Sequence, residues 1–360
     1  MRRRAWARRS AVLIAVMGVA AGMLAASSMA VAKTTLTLGY VTTPEHPYGL
    51  ALQYYADQVK KLSDDNLEIK LLPNYQGGDV PLLNDVRGGA VDMASVSSAI
   101  WDTVKVNCFQ ALQAPLLITN YGLEGKVIGG PIGAKMLQCT QQLGLVGLAI
   151  HEGGLRKPFG KSPLITPANW KGKKIRAPQS NVLSAGIRAL GADPTPLALP
   201  EVFNALRSGT VDGMEANLGL IFTQKFYEVA KYVTQNVNLW PFPTVLVMNL
   251  DKYKGLSAGD RKILRDAAKG VPAYSLNIFL KPAKGATNFV TALCAKKIQY
   301  AFATKSQLAG LQKAVQPAYA QLNKDPQTKS FISQIQALAK ATPPPPKPPA
   351  PPAKCTYKGT

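Results

Sequence analysis

The chain has 360 residues, is 47% hydrophobic and 17% charged, and carries a formal net charge of +22. That length supports about two domains of roughly 150 residues each, and the composition excludes a wholly disordered or collagen-like chain. Four cysteines exclude a disulfide-framework miniprotein, and the charge points first to an anionic partner such as nucleic acid.

The first 32 residues read as a secretory signal. Arg2, Arg3, Arg4, Arg8 and Arg9 make a basic start, Ala11 to Ala26 is an uncharged apolar run, and Ala30-Val31-Ala32 is a small-x-small cleavage site. The apolar run is short for a membrane span. Export to the periplasm with cleavage near Ala32 is the expectation, and it removes five positive charges and no negative ones.

Strand-like and helical runs then alternate. Thr35 to Val41 reads as a strand, Leu50 to Leu62 as a helix, Leu67 to Leu72 as a strand and Asp79 to Arg87 as a helix. Val91 to Val96 is a third strand, Gly125 to Leu143 a helix and Leu145 to Ile150 a strand. Further on come a strand at Lys173 to Ala177, helices at Asn181 to Leu190 and Glu201 to Arg207, and a strand at Thr244 to Met248. Ser257-x-x-Asp260 opens a helical stretch toward Leu280, bent near Gly270 and Pro272. Such alternation argues for α/β sheets covered by helices.

Asn84-Asp85-Val86-Arg87-Gly88-Gly89-Ala90-Val91-Asp92 is echoed 120 residues later by Asn204-Ala205-Leu206-Arg207-Ser208-Gly209-Thr210-Val211-Asp212. Each copy reads as a helix ending near Arg, a glycine turn and a strand. The echo suggests two lobes on one plan, and a ligand is then expected between them at strand ends. At the far end, eight of the ten residues from Pro343 to Pro352 are proline. They favour an extended rod of about 30 Å and read, with the rest of 343–360, as a disordered tail.

Enzyme signatures fail. The two histidines, His46 and His151, lie in no metal-ligand spacing, and no Gly-x-Ser-x-Gly elbow is present. Gly160-Lys161-Ser162 lacks the earlier glycine of a P-loop, and Pro163 follows where a helix should open. No catalytic residue, metal or cofactor is therefore expected. The lysines are scattered, which with the export signal argues against nucleic acid. Cys108 and Cys139 are a disulfide candidate in an oxidising compartment; Cys294 and Cys355 could pair or stay free.

Several segments, in order, resemble the substrate-binding subunit of tripartite ATP-independent periplasmic (TRAP) transporters of the C4-dicarboxylate-binding type. They include Gly154-Leu155-Arg156, Trp170-Lys171-Gly172-Lys173-Lys174-Ile175-Arg176-Ala177-Pro178 and Val211-Asp212-Gly213-Met214-Glu215. The resemblance implies a two-lobed clamshell of mixed sheets flanked by helices. It would close over a small organic acid and deliver it to membrane permease subunits; the alternative is the receptor of an ABC importer or sensor. Lobe one would take 33–152 and 242–281, and lobe two 153–241 and 282–342. The stretch from Ser257 would be a long helix bracing both.

The family's carboxylate-clamping arginine falls on Arg176 and a second on Arg156. A guanidinium presents a fork of donors that matches a carboxylate. The family's usual asparagine position holds Ala216, leaving the shifted Asn217 as the candidate. Ser95 and Ser97 follow from the third strand. His46 precedes the first helix, and Trp240 lies near the interlobe crossing.

Overall fold

The computed structural model describes residues 33–344 and 350–359. The expected signal segment, 1–32, and the prolines of 345–349 lie outside the described residues. In chain order the strands are β1 (Thr34–Gly39), β2 (Leu67–Leu72), β3 (Met93–Ser97), β4 (Leu145–Glu152), β5 (Lys157–Gly160) and β6 (Lys174–Ala177). They continue with β7 (Asp193–Pro196), β8 (Gly213–Ala216), β9 (Tyr232–Thr234), β10 (Pro243–Asn249) and β11 (Gln299–Ala301).

Two mixed sheets result, ordered β2-β1-β3-β10-β4 and β11-β9-β5-β8-β6-β7. In the first, β10 runs antiparallel between β3 and β4, and every residue of β10 is buried. That explains its near-continuous Val-Leu-Val-Met sequence: a central strand covered on both faces has no solvent side to alternate with. Helix Pro47–Leu62 packs beside β2. Its start is set by His46, whose Nδ1 accepts from the Tyr48 N–H at 3.1 Å, and by Pro47 at the first helical position.

The repeated segment builds equivalent pieces of the two sheets. Gly89 and Gly209 both adopt left-handed backbone, at φ 76° and 82°, after helices Asp79–Gly88 and Val202–Ser208. Asp92 Oδ2 then accepts from the Thr37 N–H, within β1, and Asp212 Oδ2 from the Lys174 N–H, at the start of β6; both distances are 2.8 Å. In each lobe the strand that follows is parallel to the strand so held.

The structure departs from the sequence reading in four places. The helix expected over 125–143 is helix Tyr121–Ile128, helix Pro131–Gln138 and a 3-10 turn Cys139–Leu143. Gly129-Gly130-Pro131 interrupts it, because proline has no N–H to continue the ladder. The stretch from Ser257 is two helices, Ala258–Lys269 and Val271–Leu280, packed on helix 47–62 and β4 of the first lobe. A brace across both lobes is not what these contacts make.

The run that passes between lobes is instead 305–340. Leu311 and Val315 lie in the core cluster of Trp170 and Ile175, whereas Phe331, Ile332 and Ile335 of helix Pro326–Lys340 lie in the core of the first sheet. Residues 326–340 therefore pack with the first lobe rather than wholly with the second. The fourth departure is the tail. Cys355 is buried and bonded to Cys294, and the Tyr357 N–H donates to the Tyr300 carbonyl at 2.9 Å. Composition spoke for a solvated rod, but a covalent staple and a strand-edge hydrogen bond fix the segment's end to β11. A second disulfide joins Cys108 and Cys139.

Candidate functional site

The chain crosses between sheets at 153–156 and again at 240–242. The two crossings run side by side, with the Arg156 N–H donating to the Trp240 carbonyl at 2.9 Å and the Gly153 N–H to the Phe242 carbonyl at 3.1 Å. Gly154 adopts φ 122°, and a Cβ there would stand 2.8 Å from the Cβ of Asn217. Only glycine fits that close approach. Glu152 clips the crossings together, its Oε1 accepting from the N–H groups of Gly154 at 2.5 Å and Phe242 at 3.0 Å.

Arg156 and Arg176 converge at this junction. Both are almost fully buried, at 2% and 4% exposure. Arg156 Nε forms an ion pair with Glu215 Oε2, and its Nη2 donates to the Glu215 carbonyl at 2.9 Å and to Oε1 at 3.0 Å. Its guanidinium lies 4.5 Å from the centroid of the Phe242 ring, a cation–π distance. Arg176 donates from Nε at 3.1 Å and Nη2 at 2.9 Å to the Leu197 carbonyl, and its Nη1 stands 4.0 Å from Glu215 Oε1. Arg176 is thus oriented through Nε and Nη2, and Arg156 through Nη2 and its ion pair with Glu215; among the described residues neither Nη1 has a hydrogen-bond acceptor. Trp240 Nε1 donates to Glu215 Oε2 at 3.3 Å and completes the carboxylate's surroundings.

Burial lowers the pKa of both arginines. The charge of Arg176 lowers Arg156 further, with Glu152 and Asp79 opposing. Arg176 falls to about 10, held up by Asp79 and Glu201, and so stays charged at neutral pH. Asp79, on the first lobe at the start of helix 79–88, accepts from the Ser97 N–H at 2.9 Å. Burial raises its carboxyl to about 6, against that hydrogen bond and the two arginines.

Asn217 belongs to this junction. Its Oδ1 caps helix Leu218–Thr223 by accepting from the Leu220 N–H at 2.7 Å and lies 3.1 Å from His46 Nε2 of the first lobe. Its Nδ2 is buried without a hydrogen-bond partner. A second tie between lobes is Asp102, whose Oδ2 accepts from Ser180 Oγ at 3.0 Å and the Val182 N–H at 2.9 Å, at the start of helix Asn181–Ala189.

The two serines divide. Ser97 Oγ accepts from the Ala99 N–H, and its own N–H holds Asp79, so it shapes the first lobe's side of the junction. Ser95 points elsewhere: its Oγ is 2.8 Å from His151 Nε2, which also meets Thr244 Oγ1. That is a buried network within the first sheet. Sequence reasoning missed Asp79, Glu152 and the role of Glu215. Glu215 stood in a motif that had been singled out; Asp79 and Glu152 carried no pattern of their own.

The family description of bacterial extracellular solute-binding protein, family 7, matches residues 38–325. The C4-dicarboxylate-binding periplasmic protein DctP of Rhodobacter capsulatus is 31% identical over 269 residues, 74% of this chain and 80% of that protein. Among solved structures, the sugar acid binding protein of Advenella mimigardefordensis in complex with galactonate superposes with a TM-score of 0.78 at 26% identity. It covers 86% of this chain and 98% of its own. A TRAP periplasmic solute-binding protein of Polaromonas sp. JS666, bound to D-erythronate, gives 0.77 at 28% identity, with 85% and 99% covered. With two mixed sheets joined at a paired crossing and two buried arginines at the junction, the chain belongs to bacterial extracellular solute-binding protein family 7, the receptors of TRAP transporters.

Proposed function

We propose that the protein is an exported periplasmic receptor that closes over one small monocarboxylic acid bearing hydroxyl groups and presents it to the membrane subunits of a TRAP permease. The observation that carries the reading is the pair Arg156 and Arg176, both buried at the junction, the first held by Glu215 and the second by the Leu197 carbonyl. Fixed guanidinium donors match a carboxylate bidentately and need no reorganisation on binding.

The acids of the junction narrow the ligand class. Glu215 neutralises Arg156, and Asp79 and Glu152 act on the same guanidinium. A second ligand carboxylate would meet these charges unpaired, whereas a hydroxyl could donate to Asp79. The buried Asn217 Nδ2 is a further donor for a ligand oxygen. The protein of Advenella mimigardefordensis is bound to a sugar acid and that of Polaromonas to D-erythronate, both of this class. His46–Asn217 and Asp102–Ser180 are the contacts that closure would make and opening would break.

No turnover is assigned to the site, whose buried charged groups are committed to one another and to backbone. Removal of the signal near Ala32 would release the mature receptor. Calorimetric titration of the purified protein with a panel of acids tests the reading. Galactonate or erythronate should bind more tightly than succinate by at least about tenfold, one buried unpaired charge being worth that or more. Equal or tighter binding of succinate would overturn the monocarboxylate assignment.

A further inference from the structure

The excess positive charge is not spread evenly. Residues 33–152 and 242–281 carry 15 basic and 14 acidic side chains, whereas 153–241 and 282–304 carry 14 basic and 5 acidic. The described surface ion pairs all lie on the first lobe: Lys33 with Asp65 and Glu68, Lys60 with Asp65, Lys252 with Asp92, and Lys262 and Lys269 with Asp266. Among the described residues, no surface lysine of the second lobe has an acidic side chain within 4.0 Å.

Backbone hydrogen bonds place many of these lysines in one row. The Lys231 N–H donates to the Gly160 carbonyl, the Lys161 N–H to that of Asp212, the Asp212 N–H to that of Lys174 and the Asp193 N–H to that of Lys173. On the other flank the Gln299 N–H donates to the Lys231 carbonyl, with Lys296 and Lys297 just upstream. The row therefore follows one edge of the six-stranded sheet, at a strand spacing of about 4.8 Å. It is the edge where β6, β8, β9 and β11 begin; the arginine site lies at the opposite edge, since Arg176 is near the end of β6 and Arg156 precedes the antiparallel β5. The stapled tail adds to it. Tyr357 packs edge-on against Tyr232 at 5.6 Å, and Lys354 and Lys358 are exposed beside it. Tyr227 lies 5.5 Å beneath Lys296 Nζ.

We propose that this lysine edge is a docking surface for an anionic phospholipid bilayer. Lysine is a point charge on a flexible stem and offers no bidentate fork, which suits a fluid array of phosphates better than a fixed set of carboxylates. Half-buried tyrosines at the same edge have the amphipathic form that favours a headgroup layer. Docked this way, the protein is concentrated at a membrane, and it leaves this edge when the arginine junction is presented to the membrane subunits. The proposal stands apart from the identity of the bound acid.

Sedimentation with phosphatidylcholine vesicles, with and without phosphatidylglycerol, tests it on the purified protein at low and high salt. Binding should require phosphatidylglycerol and fall with salt. The variant Lys161→Glu/Lys174→Glu/Lys297→Glu should lose at least about a hundredfold, at about fivefold or more for each lysine. Lys60→Glu/Lys61→Glu/Lys70→Glu, with the same change of net charge on the first lobe, should stay within a few-fold. A Lys→Ala set at the three edge positions replaces the reversals if those fail to fold by circular dichroism. Binding without phosphatidylglycerol preference, equal loss in the first-lobe control, retained binding in the edge variant, or capture by polyglutamate with none by vesicles would each overturn the proposal. An unchanged acid titration in the edge variant separates this result from the proposed receptor function.

Discussion

His46 of the first lobe and Asn217 of the second share a 3.1 Å hydrogen bond between Nε2 and Oδ1. Oδ1 can only accept, so Nε2 carries the proton, and Nδ1 accepts from the Tyr48 N–H. Both ring nitrogens are used by the neutral form, and burial lowers the pKa to about 4. Between that value and the unfolded value near 6.5 the unfolded chain binds more protons, so this group's stabilisation is lost as pH falls through the window. His46→Phe should remove that share of the pH dependence, up to about 1.4 kcal/mol per pH unit. It should also weaken the acid's binding by about fivefold, the worth of one neutral hydrogen bond. Denaturant midpoints at pH 7 and 4.5, with one calorimetric titration, check both parts; an unchanged pH slope would contradict them.

Glu124 and Glu152 form a buried carboxyl pair at the crossing. Burial raises Glu124 well above the carboxylate range, with the neighbouring Glu152 adding to it, so Glu124 is the protonated partner. The folded protein then holds a proton that the unfolded chain releases above pH 4.5, and this group's contribution falls as pH rises. Glu124→Gln keeps a donor for Glu152 without that dependence. Its stability curve between pH 5 and 8 should be flatter and its stability at pH 8 higher than in the parent. An unchanged pH slope between pH 5 and 8 would contradict the assignment of the proton to Glu124.

Asp79→Asn should widen the ligand range. It removes a negative charge beside Arg156 and Arg176 and keeps an oxygen for the Ser97 N–H. Succinate affinity should rise by about tenfold, in line with one charge–charge interaction in a buried site. Titration of parent and variant with succinate measures it, and no gain would remove Asp79 from the specificity argument.

Cys355→Ser should release the stapled end from β11. The Cys294–Cys355 crosslink closes a 61-residue separation, which the chain-entropy account values at about 4 kcal/mol. Urea unfolding should show a loss of 2–4 kcal/mol, within the usual range for such links, while acid binding persists. An unchanged midpoint would mean that the staple constrains nothing in the unfolded chain.

The sequence was legible where local chemistry repeats. The segments ending in Asp92 and Asp212 announced two lobes because each needs a left-handed glycine and a carboxylate to hold the neighbouring strand. The place of Arg176 at the end of β6, buried at the junction, was legible through its motif. Asp79 and Glu152 were not, because what matters about them is the approach of distant segments: Glu152 binds Phe242, 90 residues away, through backbone. Ser95 was not legible either, because its hydroxyl turns to His151, 56 residues away, within the first sheet. Proline composition hid the tail's anchorage, which depends on one cysteine and a partner 61 residues earlier. The net charge pointed to nucleic acid only while it was a sum; its position along one sheet edge is a property of strand register.

Titration of the tightest-binding acid into the parent and Arg176→Ala tests the central claim most directly. Removing one partner of a buried charge pair costs about 2–5 kcal/mol, so the variant should bind at least about thirtyfold more weakly while remaining folded by circular dichroism. Equal affinity in a folded variant would show that the carboxylate is not held at Arg176.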